Sequence, residues 1–417
     1  MLEAYFVRPQ TVDRVRASWI GAEIERYVEW LAERGYSWKS VVRRVPLLVD
    51  FGQFALARGA GEVAELAAHV DAFVVERQRR TRRRDERFVK EVRGPVEQML
   101  RLAVPGYLGG GRRRRPVPFA DALPGFFGYL GSERGLRPAS SRSYQHHLSR
   151  FEAYLERVGL ARPSELSPAI LSAFMAERAG AGLSKTSLRD GCGVLRVFLR
   201  YAHREGAIGS DLSAVMEWPQ AYRLSSIPRS ISWEEVGRVL AGVDRRTPVG
   251  KRDWAILLLL VTYGLRAREV AALTLDDIDW KRERLKVPER KAGHSTAFPL
   301  SASVGEALLD YLRGGRPETV SRRVFFRVVA PVEPIGHAAV SVRARHYLLK
   351  AGIQVPRPGS HTLRHTCVQR LVDADFALKT IGDFVGHRSA KSTEIYAKVA
   401  VEQLREVALG AGEEVLS

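Results

Sequence analysis

The stretch HTLRH at 361–365, followed by GHRS at 386–389 and EIY at 394–396, is the most informative part of this 417-residue sequence. Pro356, Pro358 and Gly359 stand just ahead of it, so a helix begins near His361. Positions 361 and 364 are one turn apart and share a face. His361 and His365 also stand i, i+4, the spacing of zinc ligands in His-Glu-x-x-His helices. The glutamate of that motif is missing, however, and Arg364 would repel a cation, so no metal is expected. His387 and Tyr396 are nine residues apart and meet only if the chain between them folds back. A lone tyrosine is as a rule structural, so the pair needs support from elsewhere in the chain.

Reading upstream supplies it. The segment WAILLLLVTYGL at 254–265 is too short and too interrupted for a membrane span and reads as a buried helix over 253–264. It leads into YGLRAREVAAL at 263–273, where Gly264 breaks the helix and Arg266 starts the next one. Glu269, Val270 and Leu273 then follow at helical spacing, leaving Arg266 at the turn. Two strands, ERLKVPE and STAFPL, flank a turn near Ala292 and Gly293, with Lys291 at the tip between Arg290 and His294. A third short apolar run at 324–326 precedes more helices, so this block is α+β.

The order of these signals resembles that of the tyrosine recombinase, or phage integrase, family: Arg, Lys in a hairpin, His-x-x-Arg, Gly-His, then Tyr. The resemblance is close over 228–417 and looser over 116–222, the helical core-binding region in that family. It implies Arg266, Lys291, His361, Arg364, His387 and Tyr396 as the catalytic set, with Glu269 supporting the first arginine. Two departures are small: Gly386-His387 follows Asp383-Phe384-Val385 rather than Gln and two leucines, and the hairpin reads ERKAG where Gly-Lys-Gly is frequent.

Each residue type suits phosphodiester chemistry. Two guanidiniums can grip the non-bridging oxygens and stay charged at any working pH. On this resemblance Tyr396 is expected to be the nucleophile, His361 the base, His387 an orienting group, and Lys291 the acid for the leaving 5′-oxygen. No cofactor is required. The resemblance further implies double-stranded DNA as partner and a homotetramer acting on two recombination sites, with accessory or sister recombinases as further partners. The tail positions Val401, Leu404, Val407 and Ala408 have helical spacing suited to docking on a neighbour. A type IB topoisomerase-like reaction on one duplex and a catalytically silent DNA-binding protein are the competing readings; a metal-dependent nuclease finds no carboxylate cluster in the sequence.

Composition agrees. The net charge is +19, with 55 Arg and 11 Lys, which points to a polyanionic partner. The charge concentrates at 77–93, including Arg79, Arg80, Arg82, Arg83 and Arg84, and at Arg112, Arg113, Arg114 and Arg115. The N-terminus lacks a signal-peptide core and only Cys192 and Cys367 occur, so a cytoplasmic, nucleoid-associated chain without disulfides is expected.

Linkers at 106–118 and 216–232 divide the chain into 1–111, 116–222 and 228–417. The first two blocks align at an offset of 100 with eight identities over 31–66, where roughly two are expected. The expected architecture is mainly α: two helical DNA-binding units of the SAM-like core-binding type, one duplicating the other, then a catalytic domain with a small antiparallel sheet. The second unit should have helices near 119–131, 139–158, 167–179 and 184–204, with Phe151, Tyr154, Leu155 and Val158 facing its core. Arg142 and Lys185 lie at helix beginnings, where backbone amides can also bind phosphate.

Overall fold

The computed structural model describes residues 1–109, 117–160, 162–216, 230–288 and 295–386. The chain forms two compact units, one of Met1–Gly109 with Ile227–Ser417 and one of Gly110–Ser226.

In the first unit, residues 1–109 build their own core from α1 (Pro9–Arg16), α2 (Gly21–Glu33), α3 (Trp38–Leu56), α4 (Val70–Thr81) and α5 (Glu86–Ala103). Asp85 caps α5 by accepting a hydrogen bond from the Phe88 amide at 2.8 Å. The second unit holds α6 (Phe126–Ser132), α7 (Pro138–Arg157), α8 (Pro168–Gly180) and α9 (Lys185–Arg204) around a separate core. Ser167 and Ser184 cap α8 and α9 by accepting the Ile170 and Ser187 amides. Two expectations need correction. Helix α6 begins at Phe126 rather than 119, because Pro124 lacks an amide hydrogen and Phe119 sits at φ 57°, both incompatible with one continuous helix. Val158 is 47% exposed, since α7 ends at Arg157 and the face that buries Phe151, Tyr154 and Leu155 ends with it.

The two helical blocks share one internal design. Leu48, Phe51 and Ala55 of α3 are buried, as are Leu148, Phe151 and Leu155 of α7. Val70 and Phe73 of α4 match Leu171 and Phe174 of α8; Val96, Met99 and Leu100 of α5 match Leu195, Phe198 and Leu199 of α9. The ring contacts repeat too: Phe51–Phe73 at 5.2 Å and Phe54–Phe73 at 5.3 Å, against Phe151–Phe174 at 5.0 Å and Tyr154–Phe174 at 5.2 Å. Glu65 and Glu165 each accept the backbone amide three residues before them, and Gly35 and Gly59 take positive φ as Gly135 and Gly159 do.

The remaining part of the first unit comprises α10 (Trp233–Ala241), α11 (Pro248–Thr262), α12 (Ala267–Ala272), α13 (Ala302–Gly314), α14 (His337–Lys350), α15 (Ser360–Asp373) and α16 (Leu378–Val385). An antiparallel sheet, β1 (Ile278–Asp279), β2 (Arg284–Val287) and β3 (Thr296–Pro299), flanks them in the order β1-β2-β3. Helix α11 starts on a Thr247 cap with Pro248 at its first position and is buried along most of its length. Asp253 on it is fully buried and satisfied by Arg252 at 2.8 Å, Arg343 at 2.6 Å and Tyr347 at 3.2 Å, which ties α11 to α14. Residues 1–109 seat on this part through the Val332 amide, which donates to the Arg34 carbonyl at 3.0 Å. Next to that bond a Cβ on Gly35 would stand 2.9 Å from Val332 Cγ2.

Candidate active site

The site is built around two left-handed glycines. Helix α11 ends at Thr262, and Gly264, at φ 57°, reverses the chain. A Cβ there would lie 3.1 Å from Val385 Cγ1 and 3.3 Å from Cys367 Sγ, so α15 and the end of α16 press on this turn. Arg266 follows in extended conformation as the cap of α12. The Glu269 carboxylate, itself buried, accepts both the Arg266 amide and Arg266 Nη1, each at 2.8 Å. One side chain therefore fixes both the backbone and the guanidinium of Arg266.

Arg364 comes from the second turn of α15 and is almost fully buried. Its Nη1 donates to the Gly264 carbonyl and its Nη2 to the Val385 carbonyl, the latter at 2.7 Å. Arg266 Nη2 donates to the carbonyl of Gly386, at φ 67°, over 2.7 Å. The two guanidiniums, separated by nearly a hundred residues in sequence, thus converge on the Gly264 turn and the end of α16. The partial negative charge of that helix terminus suits them. His361, one turn before Arg364, keeps an exposed edge, and its pKa is pushed below the ordinary imidazole value by partial desolvation and by the charges of Arg364 and Arg266. A neutral imidazole beside two fixed cations can accept a proton.

The sheet is anchored to the same place. Tyr263 donates from its hydroxyl to the Pro299 carbonyl at 2.8 Å and accepts the Ser301 amide at 2.9 Å. The Phe298 ring packs at a tilt against Tyr263 and edge-to-face with Phe384, both at 5.1 Å. The strands β2 and β3 pair antiparallel from Arg284↔Pro299 to Val287↔Thr296. Lys291, His387 and Tyr396 lie outside the described residues, as do Arg290, His294, the tail positions and Arg112, Arg113, Arg114 and Arg115. Among the described tyrosines, Tyr311 is fully buried and its hydroxyl accepts the Phe326 amide at 3.1 Å, while Tyr347 is held by Asp253. Both are committed to packing.

Residue types alone did not reveal the Gly264, Val385 and Gly386 carbonyls as arginine partners. The two glycines were the available signal, since each marks a backbone that turns left-handed. The predicted phosphate contacts Arg79, Arg80, Arg82, Arg83 and Arg84, and Arg142 and Lys185 in the second unit, are all exposed.

The phage integrase family model matches residues 229–403, and the model for the phage integrase N-terminal SAM-like domain matches 123–206. A Sinorhizobium fredii chain named integrase/recombinase y4rA is 32% identical over 387 residues, 92% of each chain. Tyrosine recombinase XerC 2 of Ralstonia nicotianae is 30% identical over 274 residues, 64% of this chain and 78% of that one. A lambda integrase tetramer bound to a Holliday junction has the same fold, with a TM-score of 0.53 and 18% identity over 75% of this chain and 87% of that one. With the arginine turn, the His-x-x-Arg helix and the core-binding helices all in this order, the chain belongs to the phage integrase family of tyrosine recombinases.

Proposed function

We propose that this chain is a site-specific DNA recombinase that breaks and rejoins strands through a 3′-phosphotyrosine. The observation that carries the reading is the convergence of Arg266 and Arg364 on one turn, with a neutral His361 on the same helix as Arg364. A phosphodiester resists attack because its oxygens are charged, so catalysis is mostly positioning and charge neutralisation.

In this mechanism Arg266 and Arg364 hold the non-bridging oxygens through guanidinium hydrogens not already given to carbonyls. The Tyr396 oxygen forms a bond to phosphorus while the bond from phosphorus to the 5′-oxygen breaks. His361 takes the phenolic proton, Lys291 gives one to the leaving oxygen, and His387 orients the phosphate. The ester conserves the bond energy, so the 5′-hydroxyl of another strand reverses the step and restores free Tyr396. Exchange between two duplexes calls for a tetramer on two sites; the lambda integrase neighbour is a tetramer bound to a Holliday junction. The arginines neutralise charge that a metal would otherwise carry, so neither metal nor ATP takes part. A mobile element in a bacterial cytoplasm fits the relatives' integrase names.

The test is recovery of DNA covalently attached to Tyr396 from cells, followed by sequencing of the trapped ends. Recurrent ends at two related sites, formed equally well in EDTA, support recombination. Relaxation of supercoils without exchange between sites assigns the chemistry to a single-duplex topoisomerase-like reaction, and absence of any adduct leaves a DNA-binding protein.

A further inference from the structure

One groove of the first block is basic in a way its fold does not require. Helices α3 and α5 flank it, presenting Arg43 and Arg44 from α3 and Arg87 and Lys90 from α5. Arg43, Arg87 and Lys90 are exposed. Arg44 is anchored: its Nη1 donates to Tyr27 Oη and Gln98 Oε1, both at 2.9 Å, and its guanidinium lies 4.6 Å from the centre of the Tyr36 ring. Its Nε is buried with no hydrogen-bond partner. The chain enters α5 through the exposed tract of Arg79, Arg80, Arg82, Arg83 and Arg84, turned by Arg82 at φ 55°. Two carboxylates share the groove, but each is engaged one turn away, Glu86 with Lys90 at 2.6 Å and Glu91 with Arg87 at 3.3 Å. Such exposed pairs are weak and yield readily to a phosphate oxygen.

The repeated design supplies a second, independent observation. The helices equivalent to α3 and α5 in the second unit are α7 and α9, and they too carry basic residues near their starts: Arg142 on α7, Lys185 and Arg189 on α9. Lys90 of α5 occupies the position of Arg189 when the buried positions of the two helices are aligned. That position alone coincides: by the same offsets Arg43, Arg44 and Arg87 fall on Ser143, Tyr144 and Thr186, so what recurs is one exposed cation on the last helix.

We propose that residues 1–109 form a second DNA-gripping unit, and that the groove between α3 and α5 lies against the phosphate backbone of a duplex. This rests on the reading of the chain as a DNA strand-transferase. The occupant follows from charge: four cations against two carboxylates on two rigid helices face one open groove, beside the exposed arginine tract, and DNA is the polyanion that the proposed reaction already brings to the protein.

The test uses the full chain with Arg43→Gln, Arg87→Gln and Lys90→Gln combined. Binding to a random-sequence duplex of about 60 base pairs is measured against salt; each lost phosphate contact lowers the log–log slope by about 0.9, so a drop of two to three units is expected. Raising salt from about 50 to about 200 mM should then weaken the unaltered protein some thirtyfold more than the variant. If the triple variant melts early, a second measurement decides. The two native cysteines are buried, so Lys90→Cys can carry a single aryl azide; it should label the duplex on illumination. An unchanged slope, or an azide that labels only another protomer, overturns the proposal and makes the groove a protein contact. A drop in slope without any adduct on Tyr396 sinks the strand-transfer reading while this one stands.

Discussion

Glu269→Gln tests whether the first arginine is held or merely present. The substitution keeps size and removes one charge. In the structure the carboxylate takes two donors from one residue, the Arg266 amide and Nη1, both at 2.8 Å. An amide side chain has one oxygen and must turn its NH2 toward the other donor. The backbone amide cannot move, so the oxygen stays with it, and Nη1 faces a donor. Arg266 keeps only its bond to the Gly386 carbonyl. A charge-assisted hydrogen bond contributes about 1.5–3 kcal/mol, and breaking a fully buried pair costs about 3–5 kcal/mol. The Arg266 side chain is 17% exposed against 4% for Glu269, so water recovers part of the loss and about 2–3 kcal/mol is expected. If half or more of that appears in the transition state, cleavage slows roughly tenfold to a hundredfold. The assay is single-turnover covalent trapping on a nicked suicide substrate, with affinity measured in parallel. A positioning role predicts a rate defect with affinity within about twofold, and Glu269→Asp, which keeps the charge, should recover part of the rate. Wild-type rate and stability in Glu269→Gln would refute the reasoning. A loss of rate matched by an equal loss of binding would reduce Glu269 to a folding residue.

The other predictions concern the chemistry itself. Tyr396→Phe should bind DNA normally and form no covalent adduct; an adduct mapped to Tyr311 or Tyr347 would be incompatible with their packing. Lys291→Ala should cleave ordinary DNA slowly but recover on a substrate with a 5′-bridging sulfur, which leaves without a proton; equal defects on both would move the acid to Arg290 or His294. His361 has its pKa lowered from the usual imidazole value. As pH falls below about 6.5 the unfolded chain takes this proton before the folded one does, so stability declines on the acid side. The kcat/KM profile should hold level through neutrality and fall only below that range; an acid limb above pH of about 7, or one unchanged in His361→Gln, would rule out His361 as the base.

The arginine turn and the start of the His-x-x-Arg helix were legible where chemistry and punctuation coincide. Gly264 announces a broken helix and Arg266 the next start, because a left-handed residue and a capping box leave local signatures. The His361–Arg364 face follows from helical spacing alone. The likeness of the two helical blocks was legible at an offset of 100, whereas the match of α5 to α9 at an offset of 99 shows only once the buried positions are known, because loops absorb single-residue changes that helix faces do not. What stayed hidden was tertiary. Strand β1 has two residues and no periodicity to detect. The start of α6 and the exposure of Val158 depend on where a helix stops, the least local of its properties. The carbonyl partners of the arginines come from backbone, which every residue possesses, so no side-chain pattern could flag them.

The hydrogen bond from Val332 to Arg34 bears on how this recombinase can be re-engineered. The loop that meets the first block continues to Ile335, whose amide is held by the Phe325 carbonyl at 3.0 Å, and then into α14. Helix α14 packs on α15, which carries His361 and Arg364. A shortened gene lacking the first block would leave the Val332 amide without its acceptor and strip cover from the loop that feeds α14. Replacing the first block therefore calls for a scaffold that preserves the tight turn at Arg34 and Gly35, or for a new residue that accepts from Val332. Clean removal at the linker breaks a backbone hydrogen bond that a cut chosen by sequence alone would overlook.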